Sequence, residues 1–351
     1  MAEEILRFPP DRLKEFCAGI LERLGVPRGD ALTVADHLVL ADMRGVGSHG
    51  LIRLGIYVKR LRLGIINPTP NVRVIKETAA TLLVDGDNGL GMVVGKRAME
   101  MCLDRAVRSG AAWTMVGRSN HFGMAAYFAM MALPRRMVGI AMTSGNSVMA
   151  PWGSRVAFIG NNPIAIAVPA DREDPMVLDM ATSVSARGKI IMAATLGKPI
   201  PPGWAITKDG RPTTDPKEAL DGGALLPVGE AKGSGLALMV EALAALLTGS
   251  PSGPDIGELY ATFDRPQGTA HTFGAIGVEA FVPFEEFAGR VDHLIRTLRA
   301  LPTAEGVERV MAPGEPEFLR HRENERLGAP VPEKVYRELA DLAKELGVPV
   351  L

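Results

Sequence analysis

Cysteine is scarce in this sequence. Only Cys17 and Cys102 occur among its 351 residues, and both fall among apolar residues in helical patterns. Cysteine in such places usually acts as a small core residue. We therefore expect neither a disulfide framework nor a cysteine metal site. We also predict a cytoplasmic protein, because that compartment keeps thiols reduced.

The sequence also lacks an excess of charge of either sign and long apolar runs. The sequence has 39 basic and 40 acidic residues, without the basic stripe that binds nucleic acid. The most apolar helical segment, 236–247, is interrupted by Glu241 and is too short to span a bilayer. The first residues lack the basic start and apolar core of a signal peptide. These absences predict no nucleic-acid partner and no membrane association.

Two kinds of catalytic motif are missing too. The six histidines form no H-x-x-x-H pair, so we predict no metal site. No G-x-S-x-G sequence occurs, which excludes the nucleophile elbow of a serine hydrolase. With 47% hydrophobic and 23% charged residues, the composition is that of an ordinary soluble enzyme, long enough for two or three layers or domains.

The periodicity of apolar residues predicts helices near both ends of the chain. Residues 11–61 fit three helices, the first two capped by Asp11 and Asp30. A final helix is predicted over 333–346, and the two terminal segments are expected to form one helical layer. The predicted division is an N-terminal helical segment, 1–75, joined by a C-terminal helical segment, 285–351, and a central α/β cofactor- and substrate-binding region, 76–284.

Between the terminal segments, short β-rich runs are separated by helical stretches. This alternation predicts an α/β domain with a substantial sheet. Helices are predicted over Met92–Val107 and Phe122–Leu133, and from Ser234 onward. The predicted strands are Thr81–Val84, Ala112–Val116, Val138–Thr143, Ile164–Val168, Met176–Leu178, Thr269–Val278 and Val307–Met311.

The histidine at position 121 stands where a buried strand gives way to a helix, in the motif Ser-Asn-His-Phe-Gly. An imidazole at a strand end can face a cleft, with Gly123 leaving space and Asn120 supplying an orienting hydrogen bond. Histidine titrates near neutral pH, so His121 suits a proton acceptor in alcohol oxidation or a donor in carbonyl reduction. Taken alone, the motif fits a structural histidine better than a catalytic one. Three other polar clusters favour the catalytic interpretation.

The segment Gly89-Leu-Gly-Met-Val-Val-Gly95 resembles a dinucleotide fingerprint, because it follows a strand-like run and opens a helix. Its spacing is GxGxxxG, however, and no acidic residue ends the next strand. A true Rossmann unit places a ribose-binding carboxylate about 20 residues beyond the glycines. We therefore predict a tight turn with close helix packing instead.

Two clusters are suited to a cofactor. Lys232 precedes Gly-Ser-Gly at the start of an apolar helix, where free backbone N–H groups and a lysine charge favour an anion. Asp179 begins Asp-Met-Ala-Thr-Ser at a strand end, where a carboxylate can bind ribose or orient a substrate. The alternatives are a capped helix with a solvated lysine, and a capping pair for the helix after Ser183.

The third cluster is a glycine-rich turn that carries Arg44, Ser48 and His49. A planar guanidinium can hold a carboxylate through two parallel hydrogen bonds. Arg53, one turn into the following helix, could do the same. The alternative is a solvated arginine at a helix end beside a turn histidine.

Taken in chain order, these clusters resemble the type-2 malate/L-lactate dehydrogenases, also called the sulfolactate-dehydrogenase-like oxidoreductases. One segment departs from the pattern: Gly160-Asn-Asn-Pro163 stands where the family usually has Gly-Thr-Asn-Pro. The matching segments are Arg44–Gly50, Ser119–Gly123, Ala150–Ser154, Asp179–Ser183, Ile200–Ala205, Thr213–Pro216, Lys232–Leu236 and Pro313–Glu315.

The resemblance implies an α/β, non-Rossmann fold of the sulfolactate-dehydrogenase-like type, with NAD or NADP in a cleft and an intimate homodimer. His121 matches the family's proton acceptor, and Arg44 and His49 match residues near the substrate. The positions that match the family's cofactor-binding residues are Gly145, Asp179, Met180, Ala181, Lys232, Gly314, Glu315 and Pro316.

The implied reaction is hydride transfer between NAD(P) and a small 2-hydroxy acid of the malate, lactate or sulfolactate type. Arg44 or Arg53 would hold the carboxylate, and His121 would take the hydroxyl proton. Within the family, the alternatives are an NADPH-dependent reductase of piperideine- or pyrroline-2-carboxylate and an oxidoreductase of ureidoglycolate or diketogulonate. A non-catalytic small-anion-binding protein on the same scaffold is the alternative from another class. The sequence leaves open NAD versus NADP, the substrate and the physiological direction.

Overall fold

A computed structural model describes residues 4–351 of the chain. Its strands are β1 (Ile5–Phe8), β2 (Arg73–Glu77), β3 (Thr81–Asp85), β4 (Ala111–Ser119), β5 (Met137–Thr143), β6 (Ile164–Val168), β7 (Met176–Met180), β8 (Ala205–Ile206), β9 (Pro212–Thr213), β10 (Ala224–Leu225), β11 (Thr269–Gly277) and β12 (Ala329–Pro332). Its helices are α1 (Pro10–Glu22), α2 (Arg28–Met43), α3 (Leu54–Arg62), α4 (Gly91–Ser109), α5 (Ala125–Met130), α6 (Arg187–Leu196), α7 (Pro216–Leu220), α8 (Ala231–Glu241), α9 (Phe284–Arg299), α10 (Glu315–Leu327) and α11 (Glu333–Glu345).

A seven-stranded sheet of order β2-β3-β4-β11-β5-β6-β7 forms the centre of the fold. Strands β3 and β4 run parallel and are joined by α4, whereas the other neighbours pair antiparallel. A Rossmann sheet is mostly parallel, so the non-Rossmann fold is confirmed. Because β11 pairs with both β4 and β5, its first residue, Thr269, lies opposite Ser119 at the end of β4. The segment before β11 therefore reaches the residues that follow β4.

Most predicted strands are confirmed, whereas two predicted helix caps and one strand are wrong. The N-caps of α1 and α2 are Pro9 and Pro27, and Asp11 and Asp30 lie inside the first helical turns. Proline suits these positions because its φ is fixed and it lacks an N–H. The predicted strand 307–311 is irregular and mostly exposed, with no partner strand to pair with. Strands β1, β2 and β12, which the pattern did not predict, lie at sheet edges or outside the main sheet.

The two ends of the chain meet in one core. β1 pairs antiparallel with β12, and apolar residues of α1, α2, α3 and α11 pack together beside this pair. Helix α9 packs elsewhere: Val291 and Ile295 contact Val168 and Met176 of the main sheet. The division at residues 75 and 285 stays a prediction.

The glycines of the GxGxxxG segment are needed for close packing, as predicted. A side chain at Gly91 would overlap the carbonyl oxygens of Asn120 and His121. One at Gly95 would lie 2.7 Å from the ring of Phe128. Because glycine has no side chain, the start of α4 can pack directly against the backbone of residues 120 and 121.

Within residues 4–351, none of the helices combines the length and the apolar character that crossing a membrane requires. In the same range, no three His, Cys, Asp or Glu side chains converge as a metal site would require.

Candidate active site

His121 lies in the short connection between β4 and α5, and two hydrogen bonds fix its position. Its Nδ1 atom is 2.7 Å from the hydroxyl of Tyr57 on α3. Its backbone N–H donates to Oε1 of Gln267 at 3.0 Å. Tyr57 and Gln267 are each 2% exposed. Neither residue carries a local motif: Tyr57 lies in an apolar helical pattern, and Gln267 lies outside the motifs described above.

The expected orienting bond from Asn120 to His121 is wrong. The side-chain amide of Asn120 donates instead to Oδ1 of Asn88 and to the carbonyl of Gly89, each at 2.9 Å. Asn120 therefore holds the turn before α4, and Tyr57 is the partner of the His121 ring.

His49 and Arg53 lie beside His121. The rings of His49 and His121 stack with centroids 5.7 Å apart and planes 10° from parallel. Arg53 donates from Nε to the carbonyl of Ser48 at 2.7 Å and from Nη1 to the hydroxyl of Tyr260 at 2.6 Å. The structure thus brings together an imidazole pair, a guanidinium and two tyrosine hydroxyls.

This environment keeps the histidines neutral. Burial, followed by the positive charge of Arg53, holds the pKa of His121 well below its usual 6.5. The neighbouring His49, His37 and His271 act in the same direction. The pKa of His49 is lowered to about 4 by burial and by Arg53. A neutral imidazole has a lone pair on one ring nitrogen, so His121 is suited to accept a proton.

Arg44 lies in a different group from His121. Its guanidinium sits 4.4 Å above the ring of Phe318 on α10, and the residue is only 4% exposed. Its Nε is buried without a hydrogen-bond partner. Burial lowers the pKa of Arg44, which the carboxylates of Glu317 and Asp179 partly oppose. Of the two candidate arginines, Arg53 lies with the histidines, whereas Arg44 packs on Phe318 near the carboxylates of Glu317 and Asp179.

Asp179 caps a helix, although not the one after Ser183. Its Oδ2 accepts the backbone N–H of Ala126 at 2.9 Å, in the first turn of α5. Desolvation by the surrounding protein raises the pKa of this carboxyl to about 6, although the residue is exposed at the surface. Because α5 begins four residues after His121, Asp179 supports the end of the connection on which that histidine lies.

The segment Pro313–Pro316 runs beside β7. The backbone N–H of Val177 donates to the carbonyl of Pro313 at 2.9 Å. Gly314 has φ of 85°, and a side chain there would lie 2.8 Å from the Val177 carbonyl oxygen. The carboxylate of Glu315 is occupied internally, because it accepts from Arg299 and from the backbone of Ala312 at 3.0 Å each.

The remaining cofactor candidates surround the loop after β5. The backbone N–H of Gly145 donates to Oδ1 of Asn162 at 2.9 Å, and Asn162 donates to Glu241 on α8 at 2.7 Å. Met180 ends β7 and Ala181 follows it. Lys232 is exposed at the start of α8, and that helix has no side-chain cap. The start of β6 and the end of β7 lie side by side, and the loops beyond them are in contact, since the N–H of Thr182 donates to the carbonyl of Asn161 at 2.9 Å.

Three buried polar residues that carried no sequence signal support the site. Nε2 of His37 accepts the backbone N–H of Met124 at 2.7 Å, which requires a neutral ring. His271 bonds to Ser119 and Thr143 at 2.8 Å each. Asp42 accepts the N–H of Leu51 at 2.8 Å, and burial raises its pKa to about 8. Each partner is distant in sequence or lies across a turn, so local patterns could not reveal it.

Comparisons with known proteins place this chain in a family. A family model described as malate/L-lactate dehydrogenase matches residues 8–340. The chain is 40% identical to a malate dehydrogenase of Pyrococcus horikoshii, over 99% of this chain and 97% of that protein. It is 38% identical to a (2R)-3-sulfolactate dehydrogenase (NADP(+)) of Chromohalobacter salexigens, over 91% of this chain and 92% of that protein. A solved sulfolactate dehydrogenase from Methanocaldococcus jannaschii superimposes with a TM-score of 0.92 at 38% identity, covering 98% of each chain.

Proposed function

This chain belongs to the malate/L-lactate dehydrogenase family, and we propose that it interconverts a small 2-hydroxy acid and its 2-oxo acid with NAD or NADP. Its relatives are oxidoreductases of malate and sulfolactate. The observation that carries the proposal is the position of His121, whose neutral ring is held by Tyr57 beside Arg53. Malate, lactate or sulfolactate is the substrate type that we favour.

In the oxidation that we propose, Nε2 of His121 accepts the hydroxyl proton while the C2 hydrogen leaves as hydride. The nicotinamide, when bound, supplies the hydride acceptor. Nε2 is free to accept only if Nδ1 carries the ring proton, so Nδ1–H then donates to Tyr57. After the transfer the imidazolium keeps this bond. In the reverse direction His121 returns the proton to the carbonyl oxygen.

Of the two arginines that the sequence offers for the substrate carboxylate, we propose Arg53. Its guanidinium is close enough to lower the pKa of His121, whereas Arg44 faces Asp179 and Phe318. A carboxylate bound at Arg53 would offset that positive charge. Substrate binding would therefore raise the basicity of His121 when a base is needed. We propose that His49, stacked on His121, lines the same side of the substrate.

We propose that the cofactor is held by Gly145, Asp179–Ala181, Lys232 and Gly314–Pro316. The residues fit an anionic dinucleotide. A side chain at Gly145 would meet no atom closer than 3.7 Å, which leaves room at this backbone. The uncapped start of α8 offers N–H groups, and Lys232 adds a positive charge there. The buried Nε of Arg44 has no partner within the described chain, and it lies with Asp179 on the proposed cofactor side.

We also propose a homodimer in the cytoplasm. Helix α8 exposes Met239 at 60%, its π-helical continuation exposes Leu246 at 61%, and α6 exposes Met192 at 59%. Large apolar side chains exposed on these helices favour coverage by another chain. The free, buried cysteines support a reducing location. Light scattering on the wild type and on Met239→Glu tests the dimer: a wild-type monomer would contradict it.

A substrate panel with both cofactors tests the function. Malate, lactate, sulfolactate, ureidoglycolate, diketogulonate and piperideine-2-carboxylate are each assayed by the absorbance of reduced nicotinamide. We expect turnover with one of the first three. Turnover of the cyclic imino acid alone would favour the reductase. Calorimetric binding of cofactor without turnover of any compound would favour the anion-binding alternative.

A further inference from the structure

We propose that Gln267 is the positioning residue that sets the place of His121 and links it to the segment that anchors Arg53. The inference rests on the proposed function. Gln267 is the only glutamine in the sequence and is 2% exposed. Its Oε1 accepts the backbone N–H of His121 at 3.0 Å, and its Nε2 donates to the carbonyl of Gly257 at 3.3 Å. Both polar atoms of its side-chain amide therefore form hydrogen bonds.

Gln267 and Gly257 close the base of the segment 257–267, which we call the site loop. The backbone N–H of Gly257 donates to the Gln267 carbonyl at 2.8 Å. A side chain at Gly257 would lie 3.0 Å from the Cα of Gln267, so the two backbones are in close contact. If the side chain of Gln267 moves away from His121, its hydrogen bond to the carbonyl of Gly257 at the base of the loop is also lost.

The site loop is fastened to α3 along its length. Arg60 of α3 is fully buried and bonds only to backbone carbonyls of this loop. The shortest of these contacts joins Arg60 to the carbonyl of Thr262 at 2.7 Å. Near the loop's tip, Tyr260 accepts the hydrogen bond from Arg53 at 2.6 Å. The same helix carries Tyr57, which holds the His121 ring.

His121 is thus held at two points by one assembly of α3 and the site loop. Tyr57 fixes its ring and Gln267 fixes its backbone, while Tyr260 of the same loop fixes Arg53. Removing Oε1 leaves the part-buried N–H of His121 without its acceptor in the protein. A displacement of about 1 Å is enough to slow a positioned transfer by roughly 100-fold.

Two substitutions of Gln267 and one control test the inference. Gln267→Met keeps the length of the side chain and removes the acceptor. Gln267→Glu keeps an acceptor for His121 and adds a negative charge. Asp264→Asn is the control, because Asp264 is exposed on the same loop and its side chain makes no hydrogen bond within residues 4–351. The readouts are kcat, KM for each substrate, and the ring titration of His121 by NMR of nitrogen-labelled histidine.

We expect Gln267→Met to lower kcat by roughly 10- to 100-fold, with the KM for the cofactor unchanged. We expect Gln267→Glu to raise the titration point of His121 by about one pH unit, because a nearby carboxylate stabilises the imidazolium. Asp264→Asn should match the wild type in kcat and in the titration of His121. A purely structural glutamine would lower the stability of Gln267→Met without lowering the kcat of the folded protein.

A folded Gln267→Met variant with wild-type kcat would overturn the inference. If that variant does not fold, Gln267→Glu decides: an unmoved His121 titration rejects the inference. If the wild-type protein turns over no 2-hydroxy acid, the proposed function fails. The NMR titration of Gln267→Glu then still tests whether position 267 lies beside His121.

Discussion

The ring of His121 and the hydroxyl of Tyr57 share a hydrogen bond of 2.7 Å between Nδ1 and Oη. A tyrosine hydroxyl can donate or accept, so this bond survives in either tautomer of the ring and in the imidazolium. Burial raises the pKa of Tyr57, which therefore stays protonated. Tyr57 can hold His121 in one orientation through a complete cycle of proton transfer.

Replacing His121 by alanine removes the proposed proton acceptor. We expect turnover of the 2-hydroxy acid to fall by roughly 100- to 10,000-fold, the usual contribution of general acid–base catalysis. Affinity for the cofactor, measured by fluorescence of the reduced nicotinamide, should stay nearly intact. Full turnover by the alanine variant would remove His121 from the mechanism.

The roles of Arg53 and Arg44 are separable by the same substitution at each position. Arg53→Lys loses the paired N–H geometry beside His121, so KM for the carboxylate substrate should rise by about tenfold or more. Arg44→Lys should act mainly on KM for NAD(P), because Arg44 lies with Asp179. Steady-state kinetics with each substrate varied in turn measures both constants. A raised KM for the carboxylate in Arg44→Lys alone would reverse the assignment.

The two reaction directions should differ in pH dependence. His121 is neutral at pH 7 because its pKa lies well below 6.5. Oxidation uses the neutral ring, so its kcat/KM should show no loss attributable to His121 between about pH 6 and pH 8. Reduction uses the imidazolium, so its kcat/KM should fall about tenfold per pH unit over the same range. Equal, flat profiles in both directions would argue against His121 as the proton donor.

The contact between α4 and the backbone of residues 120 and 121 predicts a strong glycine requirement. Gly91→Ala should lower the free energy of unfolding by about 1–3 kcal/mol and also reduce turnover, because the new methyl group presses on His121. Gly289→Ala in α9 is the matched control, since nothing lies within 4 Å of the new carbon. It should stabilise the protein by up to about 1 kcal/mol. Denaturant unfolding compares the two, and a stable, fully active Gly91→Ala would refute the packing argument.

Much of the fold was readable from local patterns. The strands 81–85, 111–119, 137–143, 164–168 and 176–180 follow apolar runs whose side chains enter a core, so their sequence carries the signal. Exposed β2 and the terminal pair β1–β12 lack such runs. Their pairing depends on partners that are distant in the chain, and the periodicity of a local segment carries no information about such partners.

The sequence alone determined that His121 follows a buried strand, that the GxGxxxG segment packs closely, and which family motifs are present. Only the tertiary structure decided that Arg53 lies beside His121 while Arg44 lies with Asp179, and that Tyr57 and Gln267 hold the histidine. The physical reason is the insertion of β11 between β4 and β5. That pairing joins residues 146 positions apart, Gln267 and His121, through one hydrogen bond, and no local pattern encodes such a contact.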